Sequence, residues 1–198
     1  MKIGLDFDNT IVSYDELFFA LARERGLIER DFPVSKTHIR DHLRQIGAEP
    51  AWTALQGLAY GDEIGRARAF PGVIEFVQAC RDREVALVIV SHKTRQPYLG
   101  STTNLHTAAR GWLEQHGMGD VEAFFELTKE AKLARIGALG CTHFVDDLPE
   151  LLSLPGFPSG ARKILFDPLG MHEPAADVLR VASWSDIANV LLWHSMAA

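Results

Sequence analysis

Cysteine is scarce in this sequence, and no long apolar run occurs. The two cysteines, Cys80 and Cys141, both lie in apolar segments. They provide neither a disulfide framework nor metal-ligand spacing, which favours a reducing compartment. No run of about 18 consecutive apolar residues is present, so no transmembrane helix is predicted. We therefore expect a cytoplasmic protein with no membrane partner.

Basic charge is not in excess either. The 198 residues include 20 Lys and Arg against 26 Asp and Glu, a formal net charge of -6. No broad basic face for nucleic acid is therefore predicted. Core structure is expected from Lys2 onward, so we expect no signal peptide. The hydrophobic fraction of 47% is that of a globular protein, and the sequence leaves the oligomeric state open.

Short apolar segments that end in a polar residue recur along the chain and are typical of buried parallel strands. Strands are predicted at 2–5, 85–90, 121–127, 142–145 and 163–166. Amphipathic patterns between them predict helices at 73–81, 105–116 and 130–139. This alternation predicts an α/β fold, a Rossmann-like parallel sheet with helices on both faces.

The stretch from 13 to 69 breaks the alternation. Its apolar residues follow helical spacing, and no strand is predicted in it. Pro71-Gly72 then marks the return to the sheet. We interpret this stretch as a small α-helical cap inserted after the first strand. The predicted domains are a catalytic core of residues 1–12 and 70–198 and a cap of residues 13–69.

Acidic residues directly follow the first predicted strand, in the motif Asp6-Phe7-Asp8-Asn9-Thr10. Residues two apart in an extended segment face the same side, so Asp6 and Asp8 converge. At the carboxyl end of a parallel strand they lie where open α/β sheets bind ligands. An ionised aspartate is a nucleophile toward phosphorus, and a second carboxyl can act as general acid and base. Alone, the motif is also compatible with an acidic turn.

Two further elements fit the same chemistry. Ser91 ends the second strand, where its hydroxyl and a backbone N–H can bond a phosphoryl oxygen. A lysine opens the helix before the fourth strand, with Lys132 as first choice and Lys129 as the alternative. An ammonium there can neutralise the charge of a transferring phosphoryl group. Taken singly, a turn or cap serine and a solvated surface lysine are the better interpretations.

The fourth element is the pair Asp146-Asp147, which closes the fourth strand. Mg²⁺ prefers a few carboxylates together with water and substrate phosphate. All four elements come at the carboxyl end of a strand or at the start of a neighbouring helix. Four carboxylates packed together without a cation would cost several kcal/mol. The sequence therefore predicts a Mg²⁺ site.

Together these residues resemble the haloacid dehalogenase superfamily, in its phosphatase branch with a small helical first-type cap. Asp-Phe-Asp-Asn-Thr is similar to its first motif and Val-Ile-Val-Ser to its second. The helix-start lysine is similar to its third motif and Phe-Val-Asp-Asp to its fourth. The resemblance covers residues 1–12 and about 70–198, and the helical insert lies where the family places its cap.

The resemblance implies Asp6 as nucleophile and Asp8 as general acid and base. It implies that Mg²⁺ is held by Asp6, the backbone carbonyl of Asp8 and Asp146, with Asp147 close by. Further residues that the resemblance assigns to phosphate binding are Thr10, Ser91, His92 and the lysine. An acid at position 8 argues against dehalogenation, because the dehalogenase branch lacks one there. Asn9 stands where many members carry glycine.

The expected activity is a Mg²⁺-dependent phosphohydrolase acting on a small phosphorylated metabolite through an aspartyl-phosphate intermediate. The long polar segment 92–104 directly follows the second motif, and long loops often carry function. We therefore consider Lys93 and Arg95 as residues that bind an anionic or hydroxyl-rich substrate. A phosphomutase or other phosphotransferase is the alternative. A non-enzymatic phosphate-sensing module is disfavoured, because receiver modules place their paired acids after the first strand rather than the fourth.

Overall fold

The computed structural model describes residues 1–173 and 175–193. Its strands are β1 (Lys2–Leu5), β2 (Val12–Ser13), β3 (Arg68–Ala69), β4 (Ala86–His92), β5 (Glu122–Glu126), β6 (His143–Asp146), β7 (Arg162–Phe166) and β8 (Val178–Val181). Its α-helices are α1 (Asp15–Glu24), α2 (Lys36–Gln45), α3 (Glu49–Tyr60), α4 (Val73–Asp82), α5 (Leu105–Gln115), α6 (Lys129–Ala138), α7 (Pro149–Leu152) and α8 (Trp184–Ala188). A 3₁₀ turn spans Ile64–Arg66, and a π-helical turn spans Asn189–Trp193.

A parallel sheet of six strands has the order β5-β4-β1-β6-β7-β8. β1 lies in its middle, paired in parallel with β4 on one side and β6 on the other. The predicted α/β class and parallel sheet are therefore confirmed, as are the five predicted strands. β8 was not predicted, because three of its four residues are only partly buried or exposed and the segment lacks an apolar run.

Helices cover both faces of this sheet. On one face, Leu133 and Ile136 of α6 pack with Val88, Val90 and Phe144. Side chains alternate along a strand, so Phe166 points away from the face on which its neighbour Leu165 joins this cluster. The ring of Phe166 lies 5.8 Å from that of Trp184 in α8, and the Trp184 ring lies 5.1 Å from that of Phe76 in α4, so α4 and α8 cover the other face. Both cysteines are buried in this part of the chain, as expected. None of the helices in the described residues has the length and apolar character of a membrane span.

The chain divides into two compact units. The sheet unit consists of Met1–Ile11, Ala69–His92 and the described residues of Asp120–Ala198. The helical unit consists of Val12–Arg68 and Lys93–Gly119. The predicted helical character of the insert agrees with α1, α2 and α3, whereas two short strands, β2 and β3, stand at its ends and pair with each other.

The helical unit contains a segment that the predicted domain bounds placed with the sheet. Residues 93–119, including α5, group with α1 to α3 because α5 packs against α3 and the 3₁₀ turn. The indole Nε1 of Trp112 also donates to the carbonyl oxygen of Ala67 at 2.9 Å. The structure thus differs from the predicted boundary at this segment, and the assignment of 1–12 with 70–198 as the catalytic domain stays a prediction.

Candidate active site

The sheet changes direction of winding between β1 and β6. From β1 the chain adds β4 and β5 on one side, then crosses to β6, β7 and β8 on the other. Ligands of open α/β sheets bind at such a switch point, beyond the carboxyl ends of the strands. Asp6 directly follows β1, and Asp146 is the last residue of β6. The backbone N–H of Asp6 donates to the carbonyl oxygen of Val145 at 2.9 Å, which fixes the two strand ends together.

Lys132 links these two aspartates. Its Nζ donates to Oδ1 of Asp6 at 2.5 Å and to Oδ2 of Asp146 at 2.6 Å. Thr128 caps the start of α6 by accepting the backbone N–H of Ala131, which fixes the turn that carries the lysine. Lys132 is 1% exposed, so it is not a solvated surface lysine. Lys129 opens the same helix and is only partly buried.

Burial and mutual charge set the protonation of this group. The pKa of Asp6 is raised to about 6: burial is the largest cause, the Lys132 ammonium opposes it, and the Asp146 and Asp8 carboxylates add to the rise. Burial alone would lower the pKa of Lys132, but the carboxylates of Asp146 and Asp6 raise it above its usual value. The lysine is therefore an ammonium at neutral pH, paired with two buried acids.

A third carboxylate joins the group. Asp6, Asp146 and Asp147 each offer an oxygen, and these oxygens lie within 4.8 Å of one another. Hard divalent cations such as Mg²⁺ are bound by carboxylate oxygens in this way. The cluster therefore has the oxygen donor atoms that Mg²⁺ requires. Asp8, predicted to contribute its backbone carbonyl, is half-buried and outside this three-residue cluster.

A tight turn presents Asp8 and Thr10 after β1. Phe7 is buried, and its ring packs edge-on against Phe125 at 5.8 Å. The N–H of Ile11 donates to the carbonyl of Phe7 at 3.0 Å, which closes the turn. Asn9 has φ 58°, a left-handed conformation that asparagine and glycine tolerate best. The turn explains why Asn9 can replace the glycine that the resemblance leads one to expect.

The hydroxyl of Thr10 is a buried polar group that lacks a hydrogen-bond partner within the described part of the chain. Such a group costs free energy unless a ligand satisfies it. The backbone of Thr10 is fixed, because Nε1 of Trp184 donates to its carbonyl oxygen at 3.2 Å. This orphaned hydroxyl, two residues after Asp8, fits the predicted role of Thr10 in phosphate binding.

Ser91 and His92 lie on the neighbouring strand, β4. Ser91 is buried and in register with Phe125 of β5, inside the strand rather than after it as predicted. His92 is exposed, and its Nε2 lies 3.1 Å from the carbonyl oxygen of Leu127. β4 and β1 are adjacent and parallel, so Ser91, near the carboxyl end of β4, lies at the same edge of the sheet as Asp6.

The two substrate candidates belong to the helical unit. Lys93 is buried, and its Nζ lies 4.9 Å from the centre of the Tyr60 ring. Arg95 is exposed, and its carbonyl oxygen accepts the backbone N–H of Leu105. The structure thus groups the core candidates in the sheet unit and these two in the other unit.

Sequence reasoning missed several residues that position the candidates. Trp184 holds Thr10, and His106 contacts the backbone of Lys93. Neither has a local signal, because each acts across many residues of chain. Asp167 did have a local signal in the sequence, because it directly follows the predicted strand at 163–166. Asp146 stands in a similar place, at the end of β6. It is buried and accepts the backbone N–H groups of Met171 and His172, which closes a loop.

Comparison with known proteins gives a likeness in fold. No family model and no curated protein matches the sequence. A HAD phosphatase from Thermococcus onnurineus matches in structure with a TM-score of 0.52 at 17% identity, over 97% of this chain and 98% of that chain. The L-2-haloacid dehalogenase RSc1362 matches with a TM-score of 0.59 at 15% identity, over 96% and 97% of the two chains.

A third solved structure is the putative HAD-hydrolase YfnB from Bacillus subtilis, described as bound to magnesium. It matches with a TM-score of 0.54 at 13% identity, over 96% of this chain and 98% of that chain. The chain therefore has the fold of the haloacid dehalogenase superfamily hydrolases. At these identities the likeness concerns the fold alone. The similar structures include both a phosphatase and a dehalogenase.

Proposed function

We propose that this chain is a Mg²⁺-dependent phosphohydrolase of the haloacid dehalogenase superfamily, with Asp6 as its nucleophile. The observation that carries the proposal is the buried pairing of Lys132 with Asp6 and Asp146 at the switch point of the sheet. A nucleophilic carboxylate beside an ammonium and a cluster of metal-binding carboxylates is the equipment for phosphoryl transfer.

Each residue has a distinct role in the proposed reaction. An Oδ of Asp6 attacks phosphorus, and the bond between phosphorus and the leaving oxygen breaks. Asp8 gives its proton to that oxygen, which leaves as an alcohol. Asp8 then takes a proton from a water molecule whose oxygen attacks phosphorus, releasing Asp6 and inorganic phosphate. Thr10, Ser91, His92 and Lys132 hold the phosphoryl oxygens, the lysine countering their negative charge.

Asp6, Asp146 and Asp147 would hold Mg²⁺, with the backbone carbonyl of Asp8 as a further ligand. When bound, Mg²⁺ neutralises charge on the transferring phosphoryl group. Lys132 holds Asp6 in position and prevents its carboxylate from turning away. Three carboxylate oxygens within 4.8 Å of one another support a hard divalent ion at this position.

Phosphoryl transfer is preferred to dehalogenation because of Asp8. A dehalogenase releases a halide, which needs no proton, so an acid at this position would have no task. Hydrolysis and transfer to another acceptor share the aspartyl-phosphate and differ only in what attacks it. The substrate is proposed to be a small phosphorylated metabolite, with Lys93 and Arg95 as candidate contacts.

A phosphate-release screen over a broad panel of phosphate monoesters, with Mg²⁺ and no added acceptor, tests the proposal. We expect release from at least one member by the wild type and none by Asp6→Asn. Release that requires a second sugar or alcohol would indicate a phosphotransferase. Chloride release from a 2-chloroacid, without phosphate release from any ester, would overturn the proposal in favour of a dehalogenase.

A further inference from the structure

The hydroxyl of Thr10 lies in the interior of the sheet unit with its hydrogen-bonding capacity unused. Thr10 is 0% exposed, and its Oγ1 has no hydrogen-bond partner among the residues that the structure describes. A buried hydroxyl without a partner costs free energy, which is why such groups are uncommon in folded proteins. A ligand oxygen that accepts from this hydroxyl recovers that free energy. The exact position of Oγ1 therefore affects the binding of a ligand directly.

Two hydrogen bonds hold the backbone that carries this hydroxyl. The peptide group that joins Thr10 to Ile11 is bonded at both ends. Its N–H, that of Ile11, donates to the carbonyl oxygen of Phe7 at 3.0 Å, and its carbonyl oxygen, that of Thr10, accepts Nε1 of Trp184 at 3.2 Å. Threonine is branched at Cβ, so few rotations about its first side-chain bond are allowed. The orientation of this peptide group thus determines where Oγ1 lies.

The indole of Trp184 is itself fixed by packing. Trp184 is 1% exposed, and its ring lies 5.1 Å from that of Phe76 in α4 and 5.8 Å from that of Phe166 in β7. The backbone of α8 is capped by Ser183, whose hydroxyl accepts the N–H of Asp186 at 3.1 Å. The indole cannot turn without displacing these rings, so its N–H is presented to Thr10 from a constant direction.

The chain also leaves room for this indole at the start of α4. Gly72 precedes the helix with φ 89°, and a Cβ added there would lie 3.1 Å from Cβ of Trp184. A side chain at position 72 would therefore press against the tryptophan. Phenylalanine at position 184 could make the same apolar contacts, so the N–H is the group that distinguishes tryptophan here. That N–H bonds the residue with the unpartnered hydroxyl.

We propose that Trp184 is a positioning residue for phosphoryl binding. Its indole N–H holds the peptide group between Thr10 and Ile11 so that Oγ1 of Thr10 donates to an oxygen of the phosphoryl group. Trp184 acts through Thr10 and does not touch the substrate. The choice of a phosphoryl group as the ligand rests on the proposed function, whereas the coupling between the indole and the hydroxyl rests on their hydrogen bonding.

Calorimetric titration with inorganic phosphate in the presence of Mg²⁺ tests this coupling. Thr10→Val should weaken binding at least about tenfold, because it removes a donor to an anionic oxygen, and Trp184→Phe should weaken it at least about threefold. The double variant should bind like Thr10→Val alone, since no hydroxyl is left to position. Independent effects of the two substitutions, an unchanged affinity in Trp184→Phe, or no binding of phosphate to the wild type would overturn the proposal.

Trp112→Phe is the matched control. Trp112 is also 1% exposed, and its Nε1 donates to the carbonyl oxygen of Ala67 at 2.9 Å within the helical unit. This substitution therefore removes the same kind of buried bond, and it should lower the urea midpoint as Trp184→Phe does while leaving the affinity for phosphate unchanged. If both variants weakened phosphate binding equally, general destabilisation would explain the loss and the proposal would fail.

The other substitutions at Thr10 separate positioning from packing. Thr10→Ser keeps the hydroxyl and should retain most of the affinity that Thr10→Val loses. Without phosphate, Thr10→Val should have a higher urea midpoint than the wild type, because it removes an unsatisfied polar group from the interior. A lower midpoint would show that the hydroxyl is already bonded in the folded chain, and the proposal would then be wrong.

The indole N–H signals in the NMR spectrum of the wild type give a second measurement should Trp184→Phe not fold. We expect saturating phosphate to shift the Trp184 signal and to leave that of Trp112 in place. A Trp184 signal that does not move would overturn the proposal. Coupled phosphate binding in a protein that hydrolyses no phosphate ester would keep the role of Trp184 and reject the phosphohydrolase, and hydrolysis without coupling would do the reverse.

Discussion

The ammonium of Lys132 lies 2.5 Å from a carboxylate oxygen of Asp6, a residue 126 positions away in the chain. The same ammonium contacts Asp146, and the lysine and both acids are buried. Such a group is stable only while its charges compensate one another. Its members therefore determine both the chemistry of the site and the stability of the sheet edge that carries it.

Lys132→Met should destabilise the metal-free protein by about 3–5 kcal/mol, because Asp6 and Asp146 lose their buried counter-charge. Urea unfolding at pH 7 measures the change. Lys129→Met, in the same helix but partly exposed, should change the free energy of unfolding by less than about 0.5 kcal/mol. Similar unfolding midpoints for the two variants would contradict the pairing.

Asp6→Asn should lower turnover at least about a thousandfold, because the amide cannot form the phosphoryl intermediate. The folded state should persist, since the side chains are nearly equal in size. Asp82→Asn, an exposed acid on α4, is the control and should retain the wild-type rate. Phosphate release with a substrate from the screen measures both. An Asp6→Asn protein with appreciable turnover would exclude this residue as the nucleophile.

Mg²⁺ should stabilise the protein and restore activity after treatment with EDTA. A ligand at a hundredfold its Kd adds about 2.7 kcal/mol to the free energy of unfolding. Asp146→Asn should lose most of this stabilisation, while Asp177→Asn, an exposed acid paired with Lys163, should keep it. Thermal unfolding with and without Mg²⁺ provides the measurement. A Tm that does not respond to the ion in the wild type would contradict the metal site.

The pH dependence of stability should include a contribution from His143. Burial lowers the pKa of this half-buried histidine, and Arg162 and the α-ammonium group of the first residue lower it further. The folded state thus binds a proton less readily than the unfolded chain. The resulting stability is present above the ordinary histidine pKa of about 6.5 and is lost as pH falls through the lowered folded value.

His143→Gln should therefore lose less stability than the wild type between about pH 7.5 and 5, the interval that brackets the ordinary histidine pKa. Chemical unfolding across this interval measures the slope. His38→Gln, an exposed histidine of the helical unit, is the comparison and should follow the wild-type curve. A steeper loss in His143→Gln would reverse the sign and refute the assignment.

Asn9→Gly should retain the conformation of the turn, whereas Asn9→Val should be about 1–2 kcal/mol less stable than Asn9→Gly, because a β-branched residue is strained at positive φ. Glu84 has φ 55° and lies in the turn before β4, so Glu84→Val should be destabilised similarly without loss of turnover by the folded fraction. Chemical unfolding and phosphate release separate the two effects. An Asn9→Val protein as stable as Asn9→Gly would show that the turn relaxes.

The central strands and the core of the site could be predicted because their signals are local. An apolar run followed at once by an acid locates both Asp6 and Asp146, and parallel pairing then brings the acids together. The lysine could be narrowed to two candidates, with Lys132 as the first choice and Lys129 as the alternative. The alternative stayed open because helix phase relative to the sheet decides which lysine points inward. Roles remain predictions for all of them.

What the sequence could not provide depends on contacts between distant segments. Residues 93–119 follow β4 directly and so were placed with the sheet, yet packing against α3 groups them with the helices. The pairing of Trp184 with Thr10 joins residues 174 positions apart and has no local pattern. The strand β8 was missed because a half-exposed edge strand needs no apolar run.

The central place of β1 also affects synthesis. Its neighbour β6 begins about 140 residues later, as the bond between Lys2 and Thr142 shows. A nascent chain on the ribosome therefore holds one edge of this central strand open until about 140 further residues have been synthesised. Open apolar edges attract other chains. Chaperone depletion should accordingly reduce the yield of this protein more than that of one whose first strand pairs within a hairpin.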